Sequence, residues 1–181
     1  MSVGRFIAVV GPSGVGKDSV MAGLVDRHPG LRLVRRVITR APEAGGEDHV
    51  PVTQSAFDRL VAQGEFVLHW QAHGLCYGIS GSVLQDLAAG HDLLANLSRN
   101  VVADAVARLP AVTVLTLTAR PETLAARLAG RGRETAEQIS ARLARSVPDL
   151  PAGCQVLTIA NDGPLAEAVA AASAALYPAS A

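Results

Sequence analysis

Cysteine, net charge and long apolar runs are scarce in this chain, and each scarcity removes a class of protein. The two cysteines, Cys76 and Cys154, lie far apart and outside any metal-ligand spacing, which favours a reducing setting without excluding a disulfide. The 16 basic residues balance the 16 acidic ones, so no overall field attracts nucleic acid or an anionic membrane. No apolar run approaches the ~20 residues of a membrane span, and no signal-peptide pattern is present. We therefore expect a cytoplasmic protein with neither nucleic acid nor a membrane as partner.

The chain also lacks internal repeats and the side-chain sets of common hydrolases. No Ser-His-Asp or paired-carboxylate arrangement is evident in the sequence. Its 181 residues, 49% of them hydrophobic, suit one compact domain that spans 1–181. Whether that domain forms a homodimer is a question that the sequence leaves open.

A glycine-rich segment stands between an apolar run and a helical pattern near the start of the chain. It follows the run at 6–10 and has the sequence Gly11-Pro12-Ser13-Gly14-Val15-Gly16-Lys17-Asp18. Glycines let successive backbone N–H groups point into one concavity, the next helix adds its positive N-terminal end, and Lys17 reaches the outer phosphates. The segment predicts a site for a nucleoside triphosphate. A glycine-rich turn without a ligand would not explain the order of strand, loop and helix.

The residue after the lysine departs from the usual pattern of such loops. That position normally holds Ser or Thr, whose hydroxyl ligates Mg²⁺, whereas this chain has Asp18. A carboxylate is an equally suitable hard oxygen ligand. We interpret Asp18 as the Mg²⁺ ligand of a variant loop.

Apolar segments alternate with helical patterns along the chain. The predicted strands are 5–10, 31–38, 92–97, 112–118 and a weaker one at 155–160. The predicted helices are 18–27, 55–63, 80–89, 101–108, 121–129, 135–146 and 164–176. This alternation predicts an α/β fold with a parallel sheet flanked by helices, whose ligands gather at the carboxyl ends of the strands.

Two stretches interrupt this alternation. Pro- and Gly-containing sequence at 39–54 leads into an insertion of about 39–80, and insertions above a sheet edge usually carry a second substrate. Farther along, a helix-loop-helix segment of about 127–145 carries Arg127, Arg131, Arg133, Arg142 and Arg145. Arginines at helical spacing most often form a solvated face. Beside a triphosphate, they can instead form a lid that neutralises the transferring phosphoryl group.

With these elements placed, the sequence resembles the guanylate-kinase-like branch of the P-loop nucleoside monophosphate kinases. Four segments occur in the order of that family: an acceptor-phosphate loop at 38–47, an acceptor hairpin at 64–78, a lid around Arg131-Gly132 and Arg142-Leu143, and Asn161-Asp162 in the loop that holds the adenine of ATP. The resemblance implies a phosphotransferase that uses ATP.

Departures from guanylate kinases concern the residues that bind GMP. Arg40 keeps one phosphate-binding arginine, but Glu43 replaces the second, and the acceptor loop is short and lacks its tyrosine. His69 replaces the glutamate that reads guanine, and Ile79 replaces a hydroxyl residue. A site without these hydrogen-bonding partners cannot select guanine. The acceptor is therefore expected to differ from GMP.

This combination resembles the ribose 1,5-bisphosphate phosphokinases, a guanylate-kinase-like family of phosphonate breakdown. The shared features include Gly16-Lys17-Asp18-Ser19, the short acceptor loop, Trp70 with His73-Gly74 and Tyr77-Gly78, Asn96 with Ser98-Arg99, and Arg131-Gly132-Arg133-Glu134. The family implies transfer of the γ-phosphoryl of ATP to the 1-phosphate of ribose 1,5-bisphosphate, which gives 5-phosphoribosyl 1-diphosphate (PRPP) and ADP.

The resemblance assigns a role to each candidate residue. Gly11 to Ser19 and Asn161 bind ATP, Asp18 binds Mg²⁺, Lys17 holds the β- and γ-phosphates, and Arg131 and Arg142 stabilise the moving phosphoryl group. On the acceptor side, the candidates are Arg40, Tyr77, Arg99, His69 and His73. Each histidine can equally be a structural residue, and Asn161 can equally be the cap of the last helix.

Two other functions remain open at this stage. One is a guanylate or other nucleoside monophosphate kinase, against which the missing guanine-binding residues argue. The other is a guanylate-kinase-like module that binds a protein and has lost catalysis. An intact Lys17 and the lid arginines argue against a non-catalytic module, which has no need of them.

Overall fold

The computed structural model describes residues 2–44, 47–132, 135–144 and 148–179. The strands are β1 (Phe6–Val10), β2 (Arg32–Leu33), β3 (Val37–Ile38), β4 (Val50–Pro51), β5 (Phe66–Ala72), β6 (Leu75–Ser80), β7 (Leu93–Asn96), β8 (Val112–Thr118) and β9 (Gln155–Ala160). The helices are α1 (Lys17–Arg27), α2 (Gln54–Ala62), α3 (Val83–Ala88), α4 (Val102–Arg108), α5 (Pro121–Gly130), α6 (Ala136–Leu143) and α7 (Leu165–Leu176).

A parallel sheet in the order β2-β7-β1-β8-β9 forms the centre of the molecule. All five residues of β1 are buried, as expected of a central parallel strand with both faces covered. Ile7 and Val9 pack into one core with α1, α5 and α7, whereas Phe6, Ala8 and Val10 pack into a second core with α3 and α4. The predicted parallel α/β architecture is therefore confirmed.

A second, smaller sheet in the order β4-β3-β6-β5 takes three of its strands from the predicted insertion. Strands β5 and β6 pair as an antiparallel hairpin, which turns at His73 (φ 51°) and Gly74 (φ 74°). The left-handed backbone at both positions suits a tight turn, and glycine adopts it without strain. The hairpin places β5 and β6 beside the carboxyl ends of the central strands.

The prediction of one strand over 31–38 is wrong. Arg32 and Leu33 pair with β7 in the central sheet, but Val37 and Ile38 pair with β6 and β4 in the second sheet. The chain changes sheets at Arg35 and Arg36, whose side chains form ion pairs with Asp48 and Glu47 from the insertion.

The described helices follow the predicted ones with small shifts at their ends. Helix α6 ends at Leu143 and not at the predicted residue 146, although 145–147 lie outside the described residues, as do Arg133 and Arg145 of the predicted lid. Both cysteines are free thiols, Cys76 buried and Cys154 half-buried. Within the described ranges, no helix combines the length and the apolar character that crossing a membrane requires.

Candidate active site

The glycine-rich loop connects the buried carboxyl end of β1 to the first turn of α1. Gly14 (φ 85°) and Gly16 (φ 92°) both adopt the left-handed backbone conformation. A Cβ atom at Gly16 would lie 2.8 Å from Nδ2 of Asn161, and one at Gly14 would lie 3.1 Å from Cγ of Leu128. Conformation and space both require glycine at these positions.

Asn161 holds this loop from the carboxyl end of β9. Its side chain is buried, and its Nδ2 donates a 2.8 Å hydrogen bond to the carbonyl of Val15, while its Oδ1 has no partner among the described residues. Helix α7 takes Pro164 as its N-cap, without a side-chain cap, so Asn161 does not cap it. The structure gives Asn161 a supporting position beneath the loop, and the contact with adenine stays a prediction.

The side chain of Lys17 folds back over the loop. Its Nζ donates to the carbonyl of Gly11 at 2.8 Å and to that of Pro12 at 3.4 Å. Burial disfavours the charged amine and lowers the pKa of Lys17 to about 8. The charges of Arg36 and Arg131 also lower this pKa, whereas the charge of Asp18 raises it. An anion that enters the loop would relieve this repulsion.

A cavity of about 330 Å³ joins the loop to the acceptor hairpin. Gly11, Ser13, Lys17 and Asp18 line its donor side, and Arg40, His73 and Tyr77 line its acceptor side. A larger cavity of about 650 Å³ lies near Arg5 and Tyr177, but at the amino ends of the strands and away from the loop. Parallel sheets bind ligands at the carboxyl ends, so the smaller cavity is the candidate active site.

Asp18 lies in the first turn of α1 and faces this cavity. It is exposed, and its Oδ1 accepts a 3.4 Å hydrogen bond from Nδ2 of Asn96 at the end of β7. In the described part of the chain, no three His, Cys, Asp or Glu residues cluster closely enough to hold a metal by themselves. Mg²⁺ would therefore need Asp18 together with phosphate and water oxygens. Ser19 is exposed and does not line the cavity.

The hairpin brings only some of the predicted acceptor residues together. Trp70 pairs with Tyr77 across the hairpin, and both line the cavity with His73. His69 precedes Trp70 on β5 and therefore points to the other face, because side chains alternate along a strand. It lines a second cavity with Phe57 and Trp70 and does not line the candidate active site, so the prediction for His69 gains no support from its position.

Three predicted arginines are placed differently around the cavity. Arg99 lines it, and its Nε donates a 2.6 Å hydrogen bond to the carbonyl of Pro148. Arg131 directly follows α5 and is exposed, and its charge contributes to the lowered pKa of Lys17. Arg142 belongs to α6, but its side chain lies outside the described part of the structure. Both lid arginines remain predictions.

Sequence reasoning missed Arg36 and Glu47, which both line the cavity. Arg36 is only 7% exposed, and its guanidinium forms a two-pronged pair with the carboxylate of Glu47 through Nε and Nη2. Burial is the main cause that lowers the pKa of Arg36, to about 10, and nearby Arg40 adds to it. The one sequence signal was the adjacent pair Arg35-Arg36 inside the strand predicted over 31–38, which also contains Arg32.

Comparisons with known proteins identify the family of the chain. The guanylate kinase family model matches residues 3–164. A ribose 1,5-bisphosphate phosphokinase of a Ruegeria species is 52% identical over 94% of this chain and 90% of its own length. A bifunctional ribose 1,5-bisphosphokinase-thymidine phosphorylase of Azorhizobium caulinodans is 47% identical over 90% of this chain, which corresponds to 24% of that protein.

A solved structure supports the fold independently. The guanylate kinase of Anaplasma phagocytophilum superimposes with a TM-score of 0.73 at 20% identity, covering 97% of this chain and 85% of that one. The chain thus belongs to the guanylate kinase family and, within it, to the ribose 1,5-bisphosphate phosphokinases.

Proposed function

We propose that this protein transfers the γ-phosphoryl group of ATP to the 1-phosphate of ribose 1,5-bisphosphate, forming PRPP and ADP in phosphonate degradation. The observation that carries the proposal is one cavity that Lys17 and the phosphate loop line together with Arg36 and Arg40. Such a lining suits a reaction between two phosphorylated molecules. The names of the most similar relatives support the same substrate.

On the donor side, the loop would hold the triphosphate of ATP. Backbone N–H groups of Gly14 to Gly16 cradle the phosphates, and Lys17 exchanges its carbonyl partners for the β- and γ-phosphate oxygens. Asn161 keeps the loop in shape through Val15. The loop that begins at Asn161 is the proposed contact for adenine.

The residues around Asp18 fit a magnesium ion. A carboxylate beside the side-chain amide of Asn96, open to the phosphate loop, provides the oxygen donors that Mg²⁺ prefers. Mg²⁺ bound there would neutralise charge on the β- and γ-phosphates. Asp18 itself contributes a negative charge that balances Lys17 before the substrates bind.

On the acceptor side, the reaction needs alignment and charge neutralisation but no general base. The attacking atom is an oxygen of the 1-phosphate, which is already anionic. It forms a bond to the γ-phosphorus while the bond from that phosphorus to the β,γ-bridging oxygen breaks, and ADP leaves with the electron pair. Arg40 and Tyr77 hold the 1-phosphate, while His73 and Arg99 lie close enough to assist. Arg131 and Arg142 stabilise the moving group.

A direct assay tests the proposal. Purified protein is incubated with ATP, Mg²⁺ and either ribose 1,5-bisphosphate or GMP, and both ADP release and PRPP are measured. We expect PRPP formation and negligible turnover of GMP, because Glu43 and His69 replace, in the sequence, two residues with which guanylate kinases bind GMP. Comparable turnover of the two acceptors would refute the assignment.

The proposed partners follow from these substrates. ATP and ribose 1,5-bisphosphate are small molecules that the cytoplasm supplies, so neither nucleic acid nor a membrane takes part, and a cytoplasmic location fits. The macromolecular partner that we propose is a second copy of the chain, in a homodimer. Light scattering with and without ATP tests it.

A further inference from the structure

Arg36 has a position that a purely structural arginine does not require. It lies between β2 and β3, and its described contacts are with Glu47 and with the rings of Trp70 and Tyr77, all within the acceptor insertion. It is nevertheless buried in the wall of the active-site cavity. Arg36 thus belongs to the acceptor side of the site.

The surroundings of Arg36 fix the orientation of its guanidinium. Trp70 and Tyr77 stack with a centroid distance of 5.4 Å and an angle of 10°, and Cζ of Arg36 lies 4.8 Å from the centroid of Tyr77. Glu47 accepts hydrogen bonds from Nε and Nη2, but this pair does not use Nη1. A preorganised guanidinium with donors left over is a suitable phosphate ligand.

The acceptor also needs one more cation than the sequence predictions supplied. Ribose 1,5-bisphosphate carries two phosphates, and Arg40 with Tyr77 accounts for one of them. Glu43, at the position of the second arginine in guanylate kinases, lies exposed in a single 3-10 turn (Pro42–Ala44) and does not line the cavity. Arg99 is only half-buried, and its Nε donates to the carbonyl of Pro148. Among the described residues that line the cavity, Arg36 is the buried cation on this side.

Resting on the function proposed above, we propose that Arg36, held by Glu47 on the Trp70–Tyr77 pair, binds the 5-phosphate of the acceptor. Glu47 is then a positioning residue. The same arrangement disfavours a nucleotide acceptor, because the guanidinium covers the ring face on which a planar base would stack. Selectivity for a sugar bisphosphate thus arises from a charge placed where a base would otherwise lie.

The test compares two acceptors that differ only in this phosphate. Ribose 1,5-bisphosphate and ribose 1-phosphate are each assayed with saturating ATP and Mg²⁺, using wild type, Arg36→Met and the control Arg35→Met. Arg35 is the chain neighbour of Arg36, but it is exposed and pairs with Asp48, and it does not line the cavity. Methionine keeps the apolar stem of the side chain and removes only its charge and donors.

We expect Arg36→Met to lower kcat/KM for ribose 1,5-bisphosphate by about 10- to 150-fold, the range for a lost hydrogen bond to a charged group. The value for ribose 1-phosphate should stay within about 3-fold, and Arg35→Met should change neither. Equal losses with both acceptors, or no loss, would overturn the proposal. Wild type that makes no PRPP would instead refute the proposed function.

Removing Arg36 leaves the carboxylate of Glu47 without its partner, which can destabilise the fold. The double variant Arg36→Met/Glu47→Gln removes this problem and should show the same selective loss. The wild-type protein alone also tests the proposal. Its kcat/KM must be at least about 10-fold higher for ribose 1,5-bisphosphate than for ribose 1-phosphate. A smaller preference contradicts binding of the 5-phosphate.

Discussion

The side-chain amide of Asn161 occupies the space in which a side chain at Gly16 would lie. A Cβ atom at Gly16 would come within 2.8 Å of Nδ2, which donates to the carbonyl of Val15. The phosphate loop and the loop after β9 therefore form one packed unit. A substitution in either loop should disturb the other.

We expect Gly16→Ala to abolish measurable ATP binding while the protein stays folded. Alanine is strained at φ 92°, and its methyl group would displace the Asn161 amide from the loop. Calorimetry with ATP measures the affinity. Gly30→Ala is the control, because a Cβ atom there meets nothing within 4 Å. Binding by Gly16→Ala within a few-fold of wild type would contradict this account.

Lys17 should titrate near pH 8 in the free protein and at a higher pH once ATP is bound. Burial and the charges of Arg36 and Arg131 lower its pKa, and bound phosphates raise it again. Lys17 is the only lysine in the sequence, so NMR of protein labelled at lysine Cε shows one side-chain signal. A midpoint above pH 10 without ATP, or no shift on adding it, would contradict the described position. Lys17→Met should lower kcat by about 10²- to 10³-fold.

Substitution of Asp18 should change the dependence on Mg²⁺. Asp18→Asn keeps the size and removes the charge, so half-maximal activity should need more Mg²⁺; Asp18→Ser restores the commoner ligand and should be intermediate or better. An aspartate in the first turn also interacts favourably with the helix N-terminus, and thermal unfolding of each variant separates this effect. Identical Mg²⁺ dependence in all three proteins would mean that the metal is held elsewhere.

Asp92 should stabilise the protein except at low pH. Burial opposes its charge, but hydrogen bonds from Arg5 and Tyr177 outweigh burial and lower its pKa below 3.8. Because the folded pKa is the lower one, the stabilisation is present above 3.8 and is lost as the pH falls through the folded value. Asp92→Asn should cost about 1–3 kcal/mol at pH 7.

Thermal unfolding across pH measures this effect of Asp92. The difference in Tm between wild type and Asp92→Asn should shrink below pH 4. Asp86→Asn is the control, because the pair of Asp86 with Arg32 is exposed, and such pairs contribute ~0–1 kcal/mol. An Asp92→Asn effect no larger than that of Asp86→Asn would show that the cluster adds no more than a surface pair.

Local sequence patterns predicted the parts of the fold whose cause is local. The apolar run, the glycines and the helix that follow one another at 6–27 specify their conformation through nearest neighbours, and the alternation of elements specifies the parallel sheet. The strand prediction at 31–38 was wrong because its two halves pair with different strands far along the chain. Pairing with strands that are distant in sequence cannot be predicted from neighbouring residues.

On the acceptor side, local sequence patterns likewise could not predict which side chains contact each other. Arg36 gained its position from Glu47 and from two rings on the hairpin, none of which adjoins it in sequence. Alternation along β5 predicts that His69 and Trp70 point apart, but only the packed hairpin shows which of them faces the cavity.

Strand β1 belongs to both cores at once, and this determines how firmly the nucleotide loop is anchored. One helical layer covers Ile7 and Val9, the other covers Phe6, Ala8 and Val10, and strands β7 and β8 pair with both edges of β1. The amides of β1 should therefore exchange with solvent only when the whole central sheet unfolds. The acceptor hairpin pairs with the two-residue strand β3, and its Leu68 and Ile79 are buried in the second core with Phe6 and Ala8. Both halves of the site are therefore anchored on one core, the donor half through β1 and the acceptor half through Leu68 and Ile79.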